Sequence, residues 1–202
     1  MHMVYLDSAS SIVASQLESF GLENDMRAAE RSQKMLNLDR PTAELLYMLV
    51  TSSQRRRILE IGTSNGYSAI WLASALRATE GYPLLTIEHA PDKVAQARAN
   101  LLAASLQDWA QVIEGDAANV CCALAGPFDC VFFDADRVSA PKQLEYLLPK
   151  LTQDALLLAD NALSHPDEIA GYIAGVEALQ QFDTMTVPIG KGLHIARRRR
   201  QP

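Results

Sequence analysis

Apolar positions along the chain fall into two textures. In residues 8–53, Ile12, Val13, Leu17 and Phe20 recur at three- and four-residue spacing, and PTAELLYMLV places a proline where a first helical turn tolerates it, so this stretch reads as helical. After Arg57 the runs shorten. ILEIG, PLLTIEH, AQVIEGD, FDCVFFDAD and ALLLADN are strand-sized, and each runs into an acid or a glycine. Helix-length amphipathic segments such as PDKVAQARANLLAAS and PKQLEYLLPKL lie between them. Alternating strand and helix, with strands apolar on both sides, predicts a parallel sheet covered on both faces. TMTVPIG and LHIARRR are separated only by GKG, too short for a crossover helix, so one late strand is expected to run antiparallel. The expected fold is α/β: Rossmann-like, doubly wound and mostly parallel, with an antiparallel late strand, helices on both faces and an N-terminal helical extension. No repeat or linker divides it, which predicts one domain over residues 1–202, with helices in 1–53 and the α/β core in 54–202.

In an open parallel sheet, ligands sit outside the carboxyl ends of the strands. Glu60 and Gly62, Glu88, Asp116, Asp134 and Asp136, and Asp160 with Asn161 all fall at or just past such ends. Arg55–Arg57 and Arg197–Arg200 fall at the opposite edge, where a solvated rim is expected rather than a substrate clamp.

The first strand enters a turn of the form E-x-G-x-x-x-G, built from Glu60, Gly62 and Gly66, and lacks the third glycine of dinucleotide sites. Gly62 permits backbone angles forbidden to other residues, and Gly66 permits close approach to the following helix. A pyrophosphate would be repelled by Glu60, whereas an ammonium or sulfonium group would be attracted, so the expected ligand is S-adenosylmethionine. Ser68 and the first-turn amides suit its carboxylate, Glu88 its ribose hydroxyls, and Asp116 its adenine amino group. Thr63, His89 and Ala117 adjoin these positions and complete the expected cofactor-binding set, which also includes Asp134.

Asp134 closes the fourth strand, and Asp160 with Asn161 closes the fifth. Neighbouring strand ends lie about 5 Å apart, so two carboxylates and an amide oxygen would meet as hard donors of a Mg²⁺-type site with open positions. Such an ion would help to ionise a phenol and fix which of two vicinal oxygens faces a methyl donor.

ILEIGTSNGYSAIWLA, TIEHAPDKVAQAR, EGDA, FFDAD and LADN, in that order, resemble the cation-dependent O-methyltransferase family that includes catechol and caffeoyl-CoA O-methyltransferases. The resemblance covers roughly residues 35–198. It implies a seven-stranded sheet with a reversed final strand, S-adenosylmethionine at the first two strands, a Mg²⁺-like ion on Asp134, Asp160 and Asn161, and usually a homodimer. It also implies that Tyr67 and Ser68 lie against the methionine part of the cofactor, with Met35 approaching it. The chain departs from the family in two places. Arg137 stands where members commonly carry a lysine base, and Ala140 where a tyrosine is expected. Arginine stays protonated and so cannot be that base, though it could hold a phenolate electrostatically. His165, with Glu168 nearby, is the alternative proton acceptor, since an imidazole titrates near neutrality. The competing reading has Ser164 capping the next helix and His165 facing solvent. Lys142 is a further substitute whose direction the sequence does not set. No basic contacts for a coenzyme-A arm are evident, so the acceptor is expected to be small.

Composition narrows the classes. The chain has 202 residues, 49% hydrophobic and 21% charged, as in ordinary globular proteins, and its net charge of −6 argues against a nucleic-acid partner. Apolar runs stop short of the ~20 residues needed to span a bilayer, and MHMVYLDSAS has no signal-peptide pattern. Three cysteines in neither a disulfide nor a zinc pattern suit a reducing cytoplasm, and these, with His194, read as packing or surface residues. The rival functions are a metal-independent methyltransferase, a non-catalytic S-adenosylmethionine-binding protein and a nicotinamide-dependent oxidoreductase.

Overall fold

The computed structural model describes residues 6–200, apart from the Arg31 side chain; residues 1–5 and 201–202, included in the expected domain, lie outside the described residues. Helix α1 (Ser8–Arg27) is capped by the Asp7 carboxylate, which accepts the Ser10 N–H at 2.8 Å. It buries Ser10, Val13, Ala14, Leu17 and Gly21, one helical stripe. Helix α2 (Arg40–Ser52) carries Pro41 in its first turn and buries Thr42, Ala43, Leu46 and Val50. Within the stretch read as helical, 8–53, two helices are separated by residues 28–39, an irregular connection with a short 3₁₀ turn at Arg31–Gln33. A tertiary contact sets the break. The Asp25 carboxylate accepts the N–H groups of Met35 (2.6 Å) and Leu36 (2.8 Å), and Leu36 adopts φ +52°.

The rest alternates as expected: β1 (Ile58–Ile61), α3 (Tyr67–Ala78), β2 (Leu84–Glu88), α4 (Pro91–Ala103), β3 (Ala110–Glu114), α5 (Ala117–Ala123), β4 (Phe128–Phe133), α6 (Ala140–Leu147), β5 (Leu151–Ala159), α7 (Pro166–Ala178), β6 (Phe182–Val187) and β7 (Leu193–Arg198). Among the described residues seven strands form one sheet, in the order β3-β2-β1-β4-β5-β7-β6. β7 runs antiparallel to both β5 and β6, and the other pairings are parallel. Among the described residues, no helix is long and apolar enough to cross a membrane.

Strand periodicity distributes side chains between two cores. Ile58, Phe132, Leu156 and Leu158 join the cluster under α1–α4, whereas Leu59, Ile61, Phe133 and Leu157 join the cluster under α5–α7. Phe132 pairs with Leu158 and Phe133 with Ala159. Asp134 and Asp160 are the next even positions, so the register carries both carboxylates to the same face beyond the strand ends.

The arginine clusters do lie at the opposite edge, but they are not simply a solvated rim. Arg55 is 6% exposed, donating to the Asp154 carbonyl at 2.8 Å and lying 3.7 Å from the Asp154 carboxylate. The Arg56 and Arg57 N–H groups donate to Asp129, and Arg198 donates to the Leu151 and Thr152 carbonyls. These guanidinium and amide donors satisfy carbonyls and acids at the amino ends of the strands.

Candidate active site

A crevice of about 1070 Å³ opens along the carboxyl ends of the strands, on both sides of β1, where the strand order reverses. It is lined at one end by the β1–α3 turn, Glu88, His89, Asp116 and Ala117, and at the other by Asp134, Arg137, Asn161, His165 and Glu168. Of the expected cofactor-binding residues, Met35, Gly62, Thr63, Tyr67, Ser68, Glu88, His89, Asp116, Ala117 and Asp134 line it; Glu60 and Gly66 do not.

The two glycines have structural duties. Gly62 has φ +105°, and a Cβ there would lie 2.4 Å from the Asp134 carbonyl oxygen. Gly66 is the N-cap of α3 at φ +89°, where a Cβ would meet the Cα of Ala97 in α4 at 3.2 Å. Its absent side chain makes room for α4, and Gly66 itself does not line the crevice.

Glu60 shares the face of Ile58 and points beneath the turn, fully buried. It accepts hydrogen bonds from the Thr86 hydroxyl (2.5 Å) and from Ser68, while Oε1 has no partner. Burial, and to a smaller degree the nearby Glu88 charge, push its pKa up to about 7. The expectation of a ligand-facing carboxylate at Glu60 is thus replaced by a buried group behind the crevice wall. Because the folded-state pKa is raised, wild-type stability should fall relative to Glu60→Gln as pH rises from 4.5 through 7, by up to about 3 kcal/mol. Denaturant unfolding of both proteins at pH 4.5 and pH 8 checks this, and a stability difference that is flat with pH would contradict it.

Glu88 accepts the Ser64 N–H at 2.9 Å on Oε2 and the His89 and Ala90 N–H groups at 2.9 and 3.0 Å on Oε1. Three amides fix the carboxylate at the lip of the crevice, and unused lone pairs remain for hydroxyl donors. Asp116 caps α5 through Oδ1, accepting the Asn119 N–H. Tyr67 donates to Glu18 of α1 at 2.5 Å, and Arg40 of α2 also holds Glu18. Ser64 and Lys93 donate to the carbonyls of Met35 and Lys34, fastening the 34–38 segment over this half of the crevice.

At the other half the three expected metal ligands do converge. The Asn161 amide donates to Asp160 Oδ2 at 2.9 Å and to Asp134 Oδ1 at 3.3 Å, from a backbone at φ +69°. Asp160 is 2% exposed, and its Oδ1 has no hydrogen-bond partner. Burial raises both carboxyls, and the Asp160 charge adds to the push on Asp134. Asp134 lies well above the usual carboxylate range, and Asp160 is pushed up to about 6. The positive charges of Lys191 and Arg137 pull both back. Among the described residues no group of three or more His, Cys, Asp or Glu side chains is placed to hold a metal ion. A cation here would need the Asn161 amide oxygen as its third protein donor. That oxygen now accepts from the Ser164 hydroxyl at 3.2 Å, so the amide would have to turn over.

Arg137 reaches the crevice, but its Nε and Nη2 fork onto Glu168 at 2.9 and 2.6 Å, so its charge is already engaged. His165 lines the crevice as the N-cap residue of α7, with no side-chain cap bond, and its Nδ1 lies 2.9 Å from the Ser164 hydroxyl. Ser164 therefore does not cap α7 but links Asn161 to His165. While Ser164 donates to the Asn161 oxygen it can only accept from His165 Nδ1; with the amide turned over, Ser164 is free to donate to Nδ1 instead. Lys142 is exposed, paired with Glu145 and absent from the crevice wall. Sequence reasoning missed Lys34, Leu36, Asn37 and Lys191 as wall residues. The NLDRP break and the glycines flanking Lys191 were their available signals.

Residues 59–162 match the family described as "Methyltransferase domain". The chain is 36% identical over 121 residues to a "Catechol O-methyltransferase" of Mycobacterium tuberculosis, covering 59% of this chain and 54% of that relative. It is 32% identical over 139 residues to a protein of the same name from Niastella koreensis, covering 67% and 62% respectively. The chain thus spans less than two thirds of these relatives' length. In structure it resembles an O-methyltransferase of Bacillus cereus solved with S-adenosylhomocysteine, at TM-score 0.80 and 23% identity over 93% of this chain and 91% of that one. It also resembles the O-methyltransferase TomG of Streptomyces achromogenes, solved with S-adenosylmethionine, at TM-score 0.75 and 28% identity over 96% and 90%. With half of its length matched across the strand ends that build the crevice, the chain belongs to the methyltransferase-domain family.

Proposed function

We propose that this chain moves a methyl group from S-adenosylmethionine to a hydroxyl of a small, catechol-like acceptor, with a divalent cation held by Asp134, Asp160 and Asn161. The observation that carries this reading is the meeting of two raised carboxyls at the acceptor half of the crevice: Asp134 lines the wall shared with the glycine turn and Glu88, and Asp160 lies buried behind it with an unpartnered oxygen. Two neighbouring buried carboxylates repel each other, and a divalent ion relieves the repulsion. The donors are hard oxygens and leave open positions, which suits Mg²⁺. When bound, such a cation supplies the charge that favours the ionised form of the acceptor hydroxyl.

The protein's own residues have separable tasks. Glu88 holds the ribose hydroxyls, and the first-turn amides of α3 with Ser68 hold the methionyl carboxylate. Asp116 keeps Oδ2 for the adenine amino group. His165 takes the hydroxyl proton, and the Arg137–Glu168 pair walls the acceptor end. S-adenosylmethionine supplies a methyl group already activated on a positive sulfur, so catalysis consists chiefly of alignment and charge placement. The relatives named as O-methyltransferases support the reaction class. A homodimer belongs to the proposal on the strength of the resemblance alone.

Catechol incubated with S-adenosylmethionine and Mg²⁺ is expected to yield a monomethylated product by mass spectrometry, with loss of the product on adding a strong chelator and recovery with excess Mg²⁺. Undiminished turnover in chelator would establish the metal-independent alternative. Cofactor binding with no product from any phenol would leave a binding protein.

A further inference from the structure

Lys191 occupies the tip of the β6–β7 connection and lines the acceptor half of the crevice. The turn that presents it is held from both sides. Gly190 has φ +53°, and a Cβ there would lie 2.5 Å from the Thr42 hydroxyl oxygen; Gly192 has φ +91°, and a Cβ there would lie 2.6 Å from the Leu163 nitrogen. The Leu163 and Ser164 N–H groups donate to the Lys191 carbonyl at 3.0 Å each, and the Ala162 N–H donates to the Gly192 carbonyl at 2.9 Å. The lysine backbone is thereby fixed to the segment that carries Asn161.

Among the described residues its ammonium group donates to the Asn37 carbonyl at 3.4 Å and makes no ion pair, acting on Asp134 and Asp160 only through its charge, whereas Arg137 at the same end is committed to Glu168. The crevice wall carries the polar side chains Asn37, Ser139, Gln143, Asn161 and His165 beside Leu36 and Leu38, and among the described residues its one phenol ring is Tyr67 at the cofactor turn. An aromatic acceptor meets only the His165 imidazole as a ring at this end, so its polar substituents are the remaining handles by which it can be held.

We propose that Lys191 is the specificity-determining residue of the acceptor site, pairing with a carboxylate on the acceptor, so that the preferred substrate class is a vicinal dihydroxy-aromatic acid rather than a neutral catechol. The inference rests on the methyl-transfer reading above for its reaction but not for its recognition. A charge-assisted pair in a partly desolvated crevice favours the anionic ligand by about tenfold or more.

The test compares 3,4-dihydroxybenzoate with catechol on wild type, Lys191→Gln and Lys191→Arg, measuring kcat/KM and, by calorimetry on the cofactor-loaded protein, equilibrium affinity. The wild-type acid-to-catechol ratio is expected to be about ten or more in both measurements. It should fall to near one in Lys191→Gln and be largely kept in Lys191→Arg. A tenfold affinity preference without turnover would support the role of Lys191 while removing the methyl-transfer reading. A ratio unchanged in Lys191→Gln would overturn the proposal, whether because both acceptors are untouched or because both lose equally; in the latter case the lysine serves the reacting oxygens or the carboxylate pair.

Discussion

Asp160→Ala is expected to lower Mg²⁺-dependent methyl transfer by about 10²–10³-fold while leaving S-adenosylmethionine affinity within about threefold of wild type. The side chain is nearly inaccessible and lies behind the crevice wall, away from the cofactor half built from the β1–α3 turn, Glu88 and Asp116. Its carboxylate faces Asn161 and repels Asp134. Removing it deletes one of two anionic donors, and it also relieves Asp134, whose carboxyl should titrate closer to the ordinary range. The variant is therefore expected to fold at least as well as wild type in the absence of metal, because an uncompensated buried charge has been taken away. Calorimetric titration with cofactor and initial rates at graded Mg²⁺ concentrations separate the two effects. Parallel loss of cofactor affinity and turnover would mean that Asp160 serves the cofactor instead.

Gly62→Ala should be the most damaging single-methyl change in the crevice. Two independent penalties coincide: a backbone angle of φ +105° and a Cβ 2.4 Å from the Asp134 carbonyl oxygen. Non-glycine residues in such regions cost about 1–3 kcal/mol, and a backbone atom cannot swing aside as a flexible side chain could. A loss of about 3 kcal/mol or more is expected, which for a chain of this size lowers Tm by roughly 6–12 °C. The same shift would displace the β4 end that carries Asp134, so residual folded protein should also be impaired in turnover. Gly175→Ala, inside α7 with its Cβ 3.8 Å from the nearest atom, is the matched control and is expected to be neutral or stabilising by up to about 1 kcal/mol. Similar melting losses in both variants would show that helix content, not the turn, governs the response.

The sheet was legible because its strands are buried on both faces and so stand out as solid apolar runs between amphipathic helices. The short GKG spacing was enough to reverse β7, and the strand ends were enough to bring Asp134, Asp160 and Asn161 together. What stayed hidden depends on contacts distant in sequence. The interruption after α1 follows from Asp25 binding the N–H groups of residues 35 and 36, which no local periodicity displays. Arg137 read as a free cation because its partner, Glu168, lies 31 residues away on α7. Glu60 was misplaced for a different reason. A strand period of two sends it to the face of Ile58, under α3, but an acid at a strand end invites a ligand-facing reading. Lys191 read as part of a tight turn, and only the packing of that turn against Thr42 and Leu163 places it on the crevice wall.

The claim on which the chemistry stands is that the ends of β4 and β5 deliver their oxygens to one cation beside the methyl donor. A crystal grown with S-adenosylmethionine and Mn²⁺, measured for anomalous scattering, tests it directly. The expected result is a single strong peak within coordination distance of Asp134, Asp160 and a turned Asn161 amide, facing the sulfonium. No peak there, with the cofactor in place and Mn²⁺ in excess, would contradict it.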